Sequence, residues 1–196
     1  MVSVLEVIAT ICGLLQAYLI MNNKKESWIF YNIQMLSLLL FSIIVSLWGD
    51  VIENIVYLIL GILGTTIWYN SKINIFKEIG KLSNQNRILL IMLIVVLTYL
   101  LYIFLTKTND KLPFLDSLTT ILGLVATVLM IMKKIETWIL WFIDDILMAI
   151  VYFLIPEQPI YLILLNIIWI IFAIMSYIEW RRFMVLSKNG KLDYVE

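Results

Sequence analysis

Two tryptophans and a pair of adjacent aspartates lie close together in an otherwise apolar stretch: Trp138, Trp141, Asp144 and Asp145. At about 100° per residue of an α-helix, Trp138, Trp141 and Asp145 fall within about 60° of one another, and Asp144 lies about 100° away from Asp145. Aromatic rings can stack on a planar ligand and attract a cationic one, and a carboxylate can accept hydrogen bonds from hydroxyl groups. We therefore predict that this helix face binds a small ligand.

The tryptophans have a second interpretation, because this residue type is enriched where a membrane meets water. Trp138 fits such an interfacial belt well, since it follows Lys134 by only four residues. Trp141, one turn from Asp145, fits the belt less well than it fits a binding face. The belt is also our expectation for most of the other tryptophans, which are Trp48, Trp68, Trp169 and Trp180.

Two amide side chains inside apolar stretches are further candidates for the same site. Gln34 occupies the position of Asp144 in the internal repeat described below, and Asn166 lies in the middle of the last apolar stretch. Polar side chains also serve as hydrogen-bonding contacts between membrane helices. We weigh the two roles equally and include Gln34 and Asn166 in the predicted substrate site.

The composition determines which kind of element positions these side chains. Of the 196 residues, 63% are hydrophobic and 14% are charged, whereas about a quarter are charged in soluble domains. A helix that crosses the hydrocarbon needs roughly 20 apolar residues, and its backbone polar groups must be satisfied internally. Seven segments meet this requirement, and we predict an all-α integral membrane protein that forms a single membrane domain over 1–196. The predicted helices are 2–22, 28–48, 51–70, 87–106, 114–132, 136–155 and 158–179.

The basic residues predict the orientation of these seven helices, because lysine and arginine concentrate on the cytoplasmic side. With the N-terminus outside and the C-terminus inside, the outside loops hold only Lys107 and Lys111 of the 14 basic residues. The other twelve then lie inside. They are Lys24, Lys25, Lys72, Lys77, Lys81, Arg87, Lys133, Lys134, Arg181, Arg182, Lys188 and Lys191.

An internal repeat relates the two halves of the chain. Residues 11–34 align without gaps with 121–144, and both contain Lys-x-Glu-[Ser/Thr]-Trp-Ile. The alternative is chance similarity between apolar helices. The repeat predicts a 3+1+3 arrangement in which 2–70 matches 114–179, 87–106 is a linking helix and 180–196 is a cytoplasmic tail. A single linking helix makes the repeats parallel, as in the SWEET sugar carriers, whose substrate site lies between the repeats.

Several functions are excluded by what the sequence lacks. It has no histidine, its only cysteine is Cys12, and its net charge is zero. Neither a phosphate-binding Gly-x-x-x-x-Gly-Lys loop nor a basic patch for nucleic acid is present. The one acid pair, Asp144 and Asp145, points to different helix faces and does not suit catalysis. We therefore predict no enzymatic activity, no metal site and no cofactor.

The chain resembles the PnuC family of vitamin transporters along nearly its whole length. The sixth-helix signature of that family is Trp-x-x-Trp-x-x-x-[Asn/Asp], which reads Trp138-x-x-Trp141-x-x-x-Asp145 here. Other similar stretches are Asp116-Ser-Leu-Thr-Thr, Leu124-Val-Ala, Lys133-Lys-Ile-Glu-Thr, Trp48-Gly-Asp and Tyr57-x-x-Leu60-Gly-Ile-x-Gly64. The sequence departs from the nicotinamide riboside carriers at 145, where we associate an amide with them and this chain has an acid.

This resemblance implies a SWEET-like fold in the plasma or inner membrane, often as a homotrimer. It implies facilitated diffusion of nicotinamide riboside, with a cytoplasmic kinase trapping the substrate by phosphorylation. Relatives carry thiamine, riboflavin or deoxynucleosides, and these stay open as substrates. A vitamin-binding subunit of an ATP-driven importer also stays open, and it would usually have six spans with both termini inside. A membrane enzyme acting on lipid would need clustered acids, which the adjacent Asp144 and Asp145 do not provide.

Overall fold

The computed structural model describes residues 2–70, 78–108, 110–154 and 160–188. These residues form seven helices that correspond to the seven predicted segments: α1 (Val2–Met21), α2 (Ser27–Ile44), α3 (Trp48–Tyr69), α4 (Asn84–Leu105), α5 (Pro113–Ile131), α6 (Glu136–Leu154) and α7 (Ile160–Lys188). The predicted inside residues Lys72, Lys77 and Lys191, and the tail beyond Lys188, lie outside the described ranges.

Six of the helices in the described ranges are long and apolar enough to cross a membrane, by length and composition. The other helix, α6, carries the carboxylates of Glu136, Asp144 and Asp145 within its 19 residues. Large apolar side chains on α1, α3 and α4 are widely exposed in the structure, as expected of helices that face lipid.

Two predicted helix ends differ from the structure. The second helix ends at Ile44 rather than 48, because Ser46 has a left-handed backbone (φ 62°) and the Leu47 amide donates to the carbonyl of Ser42 (2.9 Å). The last helix continues to Lys188, although we predicted a tail from 180. Burial of Trp180 explains the difference, since its indole packs inside the protein and holds this part of the chain in the helix.

The chain divides into two compact units, and the division places α1–α3 in the first unit and α4–α6 in the second. The second unit extends through α7 as far as Met184, and the end of α7 from Val185 belongs to the first unit.

Close packing of α2 against α3 holds the first unit together. Trp28 on α2 is 1% exposed, and its ring meets that of Trp68 edge-on with centroids 5.8 Å apart. The absence of a side chain at Gly64 on α3 makes room for the Trp28 ring, because a methyl group there would overlap it. Gly64 therefore marks a close approach of the two helices.

Substitution of Gly64 tests this close packing of α2 against α3. We expect Gly64→Ala to lower the free energy of unfolding by about 1–3 kcal/mol, as overpacking does in well-packed cores. Gly49 is the matched control, because a methyl group there meets nothing within 4 Å. Gly49→Ala should leave stability unchanged or raise it by up to about 1 kcal/mol, since alanine favours helix. Thermal unfolding in detergent measures both, and equal effects would contradict the packing.

The second unit packs α4 and α6 against α5. Ile94 and Thr98, one turn apart on α4, are buried, and Ile94 joins the core formed by Ile121, Leu122 and Val125 of α5. The start of α6 is tied to α5 by a hydrogen bond from Thr137 Oγ1 to the Ala126 carbonyl (2.8 Å). Of these helices, α4 has the smallest buried share in its membrane-spanning window, which indicates a mostly lipid-facing surface.

The turns that begin α2 and α6 share one geometry at a spacing of 110 residues. Asn23 and Lys133 both have left-handed backbones, with φ of 54° and 51°. In each turn the amide of this residue donates to the carbonyl three residues earlier, at 2.9 Å for Asn23 and 3.1 Å for Lys133. The amide of the following lysine donates to the carbonyl five residues before it, at 3.0 Å for Lys24 and 2.9 Å for Lys134. This pair of bonds is the Schellman motif that ends helices. The Lys-x-Glu-[Ser/Thr]-Trp-Ile sequence thus recurs on the same local fold.

Candidate functional site

The α6 face predicted to bind a ligand begins with a tryptophan that is packed against another helix. Trp138 is 6% exposed, and its ring meets that of Trp180 on α7 edge-on, with centroids 5.2 Å apart and planes at 89°. The Trp28–Trp68 contact between α2 and α3 is its counterpart in the first unit. The expectation of an interfacial belt is therefore wrong for Trp68 and Trp180, which lie buried within their units.

The next two members of this face are more open. Trp141 and Asp145, about one helical turn apart, are both half-buried, whereas Asp144 is buried at 8% exposure. The helix geometry separates the two acids in the same way, since successive residues of an α-helix lie about 100° apart around its axis. An aromatic ring and a carboxylate thus share a partly accessible strip of α6.

Asn166 lies on α7 and is 4% exposed. Its Nδ2 finds no acceptor among the described residues. A buried amide donor without an acceptor costs about 1–3 kcal/mol. This residue therefore offers a hydrogen-bond donor in the second unit, which also contains Trp141 and Asp145.

Gln34, the sixth predicted site residue, belongs to the first unit. It is half-buried on α2, and its Nε2 would lie 2.7 Å from a methyl group built on Gly13 of α1. The amide therefore packs closely against a neighbouring helix of its own unit, which agrees with the interhelical role that we weighed for it.

The sequence did not reveal a polar cluster at the start of α6. The Glu136 carboxylate, 7% exposed, accepts hydrogen bonds from the Leu82 amide (3.1 Å) and from Nε and Nη2 of Arg87 (3.0 and 2.7 Å). The predicted topology already put Arg87 and the start of the sixth helix on the same side of the membrane. That shared side of the membrane was the signal available in the sequence.

Lys133, in the turn before α6, is also buried rather than solvated. Removal from water disfavours its charged form, and burial lowers the pKa of Lys133 to about 8. Within the described ranges, no three His, Cys, Asp or Glu side chains come together as a metal-binding group.

Known proteins resemble this chain along most of its length. The sequence model of the nicotinamide mononucleotide transporter family matches residues 3–182. The nicotinamide riboside transporter PnuC of Neisseria mucosa is 25% identical over an alignment of 200 positions, which covers 94% of this chain and 74% of that protein. A crystal structure of the vitamin B3 transporter PnuC has the same fold, with a TM-score of 0.75 and 24% identity over 93% of this chain and 83% of that one.

These likenesses agree with the helical architecture and with the family that the α6 signature indicated. They identify a multi-pass membrane protein and a vitamin transporter, and the relatives are transporters rather than enzymes. Since the match extends over nearly the whole sequence, the chain belongs to the nicotinamide mononucleotide transporter family, which includes the PnuC vitamin transporters.

Proposed function

We propose that this vitamin transporter carries nicotinamide riboside across the membrane by facilitated diffusion, and that a cytoplasmic kinase traps the substrate by phosphorylation. The observation that carries the substrate is the likeness to the nicotinamide riboside transporter of Neisseria mucosa over 94% of the chain. A membrane-embedded aromatic and carboxylate strip on α6 suits this substrate, because nicotinamide riboside has a cationic planar ring and ribose hydroxyl groups.

In this proposal Trp141 and Asp145 are the principal binding residues. The half-buried Trp141 ring stacks on the nicotinamide ring, and the Asp145 carboxylate attracts its charge or accepts hydrogen bonds from the ribose. Trp138, on the same helix face, packs edge-on against Trp180, and this contact fixes the start of that face on α7. Asp144, Asn166 and Gln34 are proposed as further polar contacts, of which Asn166 has a donor available for the amide oxygen of the substrate.

We also propose the SWEET-like 3+1+3 arrangement, with α1–α3 and α5–α7 as parallel repeats and α4 as the link. Two local correspondences support it. The turns at Asn23 and Lys133 share one hydrogen-bond pattern, and each unit contains a buried tryptophan pair between its second and third repeat helices. Superposition of the two helix triplets in an experimental structure tests it, and an inverted relation would contradict it.

The proposed orientation puts the N-terminus outside and the C-terminus inside the plasma or inner membrane. Its support is the distribution of the basic residues, of which only Lys107 and Lys111 would lie outside. Reporter fusions at both ends test it. Both termini on one side would instead favour the topology of an importer subunit. The homotrimer and the kinase rest on the resemblance to PnuC carriers, and crosslinking in native membranes tests the trimer.

Uptake by purified protein in liposomes tests the function. Labelled nicotinamide riboside should equilibrate to equal concentrations on both sides without ATP or an ion gradient, and should accumulate only when a kinase and ATP are enclosed. Thiamine, riboflavin and deoxynucleosides are compared in parallel. Because Asp145 is an acid, the cationic nicotinamide riboside and thiamine should be preferred to the uncharged compounds. Uphill accumulation driven by a proton gradient, and lost in Asp145→Asn, would contradict facilitated diffusion.

The Trp141→Ala variant tests the binding residues. Loss of an aromatic stack costs about 0.5–1.5 kcal/mol beyond the lost contact area, and each 1.4 kcal/mol is tenfold in affinity. We therefore expect substrate binding to weaken at least severalfold while the thermal unfolding temperature changes little. Trp48, 65% exposed at the start of α3, is the matched control, and Trp48→Ala should bind like the unmodified protein. Unchanged affinity in Trp141→Ala would remove this residue from the site.

A further inference from the structure

The start of α6 is fastened to the segment that precedes α4 and to the first turn of α4. Gly80 pairs with Lys134 as a short parallel bridge made of two backbone hydrogen bonds, each of 3.0 Å. Beside this bridge, the Glu136 carboxylate accepts hydrogen bonds from the Leu82 amide and from the guanidinium of Arg87. We refer to the Glu136 carboxylate with these two partners as the α6 anchor.

The α6 anchor holds the helix from the side opposite the predicted binding strip. Glu136 and Asp145 are nine residues apart, which is about 900° of rotation, and so they face opposite directions. Trp141 lies about 140° around the helix from Glu136. Leu140 and Leu147 lie within about 40° of Glu136, and both pack against the core that α4 and α5 form. The strip therefore points away from α4 and α5.

The hydrogen bonds of the anchor give this side of α6 a direction that its apolar contacts lack. Glu136 is 7% exposed, and its Oε1 accepts from the Leu82 amide (3.1 Å) and from Nε and Nη2 of Arg87 (3.0 and 2.7 Å). A buried carboxylate that loses such donors is strongly destabilised, whereas apolar contacts are not directional. Rotation of α6 about its axis is therefore opposed chiefly by the anchor.

We propose that Glu136 is a positioning residue of this transporter, because its anchor sets the angle at which α6 presents Trp141 and Asp145. This inference rests on the proposed function of the strip. A binding group has to be held within about 0.5 Å and 10–20° of its productive position. Side chains extend roughly 5–6 Å from a helix axis, so a rotation of 10–20° moves them by about 1–2 Å, which exceeds that tolerance.

Substrate affinity in the full-length protein tests this role. Glu136→Gln keeps an acceptor for the Leu82 amide and loses the charge that Arg87 binds. We expect it to bind labelled nicotinamide riboside at least severalfold more weakly, measured below its unfolding transition. Glu26→Gln is the matched control, since Glu26 has the same place in the repeated motif and is exposed. Ile94→Val controls for stability, because it trims the core of this unit without removing a hydrogen bond of the anchor.

Both controls should bind like the unmodified protein. Equal affinity of Glu136→Gln and the unmodified protein would overturn the proposal. A loss in Ile94→Val as large as that in Glu136→Gln would also overturn it, since affinity would then follow stability alone. Arg87→Met should weaken binding by a factor similar to that of Glu136→Gln. The double variant should be no weaker than either single variant, because all three lose the same interaction. Losses that multiply in the double variant would contradict the shared anchor.

A measurement without substrate separates this proposal from the proposed function. In a Cys12→Ala background, a small maleimide labels either Asp144→Cys or Asp145→Cys in the detergent-solubilised protein. Position 145 should react faster, since Asp145 is half-buried and Asp144 is buried. Adding Glu136→Gln should lower the ratio of the two rates severalfold, and adding Glu26→Gln should leave it unchanged.

An unchanged ratio in Glu136→Gln would overturn the positioning role, whichever vitamin the protein binds. If the ratio falls but the unmodified protein does not bind nicotinamide riboside, the proposed substrate is wrong and the role of Glu136 in setting the angle of α6 stands. The two failures are thus distinguishable.

Discussion

Trp138→Ala is expected to lower the free energy of unfolding by about 3–5 kcal/mol, the range for removing a buried tryptophan. The physical reason is that the Trp138 ring fills the space between α6 and α7 and meets the Trp180 ring edge-on at 5.2 Å. An aromatic pair adds about 0.5–1.5 kcal/mol to the burial of its area. Trp28→Ala should have a similar effect, because Trp28 makes the corresponding contact with Trp68.

Thermal unfolding of the purified variants in detergent measures this loss, and ligand binding is measured below the transition. Trp48→Ala serves as the control, since an exposed residue away from packed features changes stability by no more than about 0.5 kcal/mol. Trp138→Phe should recover part of the loss by retaining an aromatic ring. If Trp138→Ala unfolds at the native temperature but no longer binds substrate, Trp138 is a ligand contact and the packing interpretation fails.

Glu136→Ala is expected to lower the free energy of unfolding by about 2–3 kcal/mol. Breaking a fully buried ion pair costs about 3–5 kcal/mol, but the Arg87 side chain is 42% exposed and can regain water, which reduces the loss. The Leu82 amide also loses its acceptor. Glu136→Gln should lower the free energy of unfolding by less. Its amide oxygen can still accept a hydrogen bond from the Leu82 amide, and only the charge that holds Arg87 is lost.

The control for this prediction is the more exposed pair of Glu179 and Arg182 on α7, whose side chains are 27% and 69% exposed and whose charged atoms lie 3.6 Å apart. Glu179→Gln should change stability by at most about 1 kcal/mol, as surface ion pairs do. High salt should leave the difference between the native protein and Glu136→Ala largely in place, since partly buried pairs are screened less than exposed ones. A Glu136→Ala protein as stable as Glu179→Gln would show that the cluster contributes little.

The sequence alone predicted the helices because apolar length is a local property. Seven apolar segments became seven helices, and the Lys-x-Glu-[Ser/Thr]-Trp-Ile motif marked two turns that share one geometry. The α6 signature was enough to indicate the transporter family, and the comparison with known proteins confirmed it. Its ligand contacts stay a prediction.

The contacts between distant residues were beyond the sequence. Nothing local distinguishes Glu136, which binds Leu82 and Arg87 about 50 residues away, from its exposed counterpart Glu26. For the same reason Trp180 was assigned to the membrane interface, although it is fully buried and its ring contacts that of Trp138, 42 residues earlier. Hydropathy reports whether a helix prefers lipid, but it does not report which neighbour the helix meets.

The exposed surface of α4 has a consequence for how this chain can diverge. Ile94 and Thr98 are buried, but most other positions of the helix, such as Ile91, Val95 and Tyr99, face outward. Lipid requires only that an outward side chain be apolar, since it provides no fixed shape to fit. Natural substitutions should therefore accumulate fastest on the outer face of α4. In this helix, distant members of the family are best aligned by the positions of Ile94 and Thr98, which face inward, rather than by overall identity.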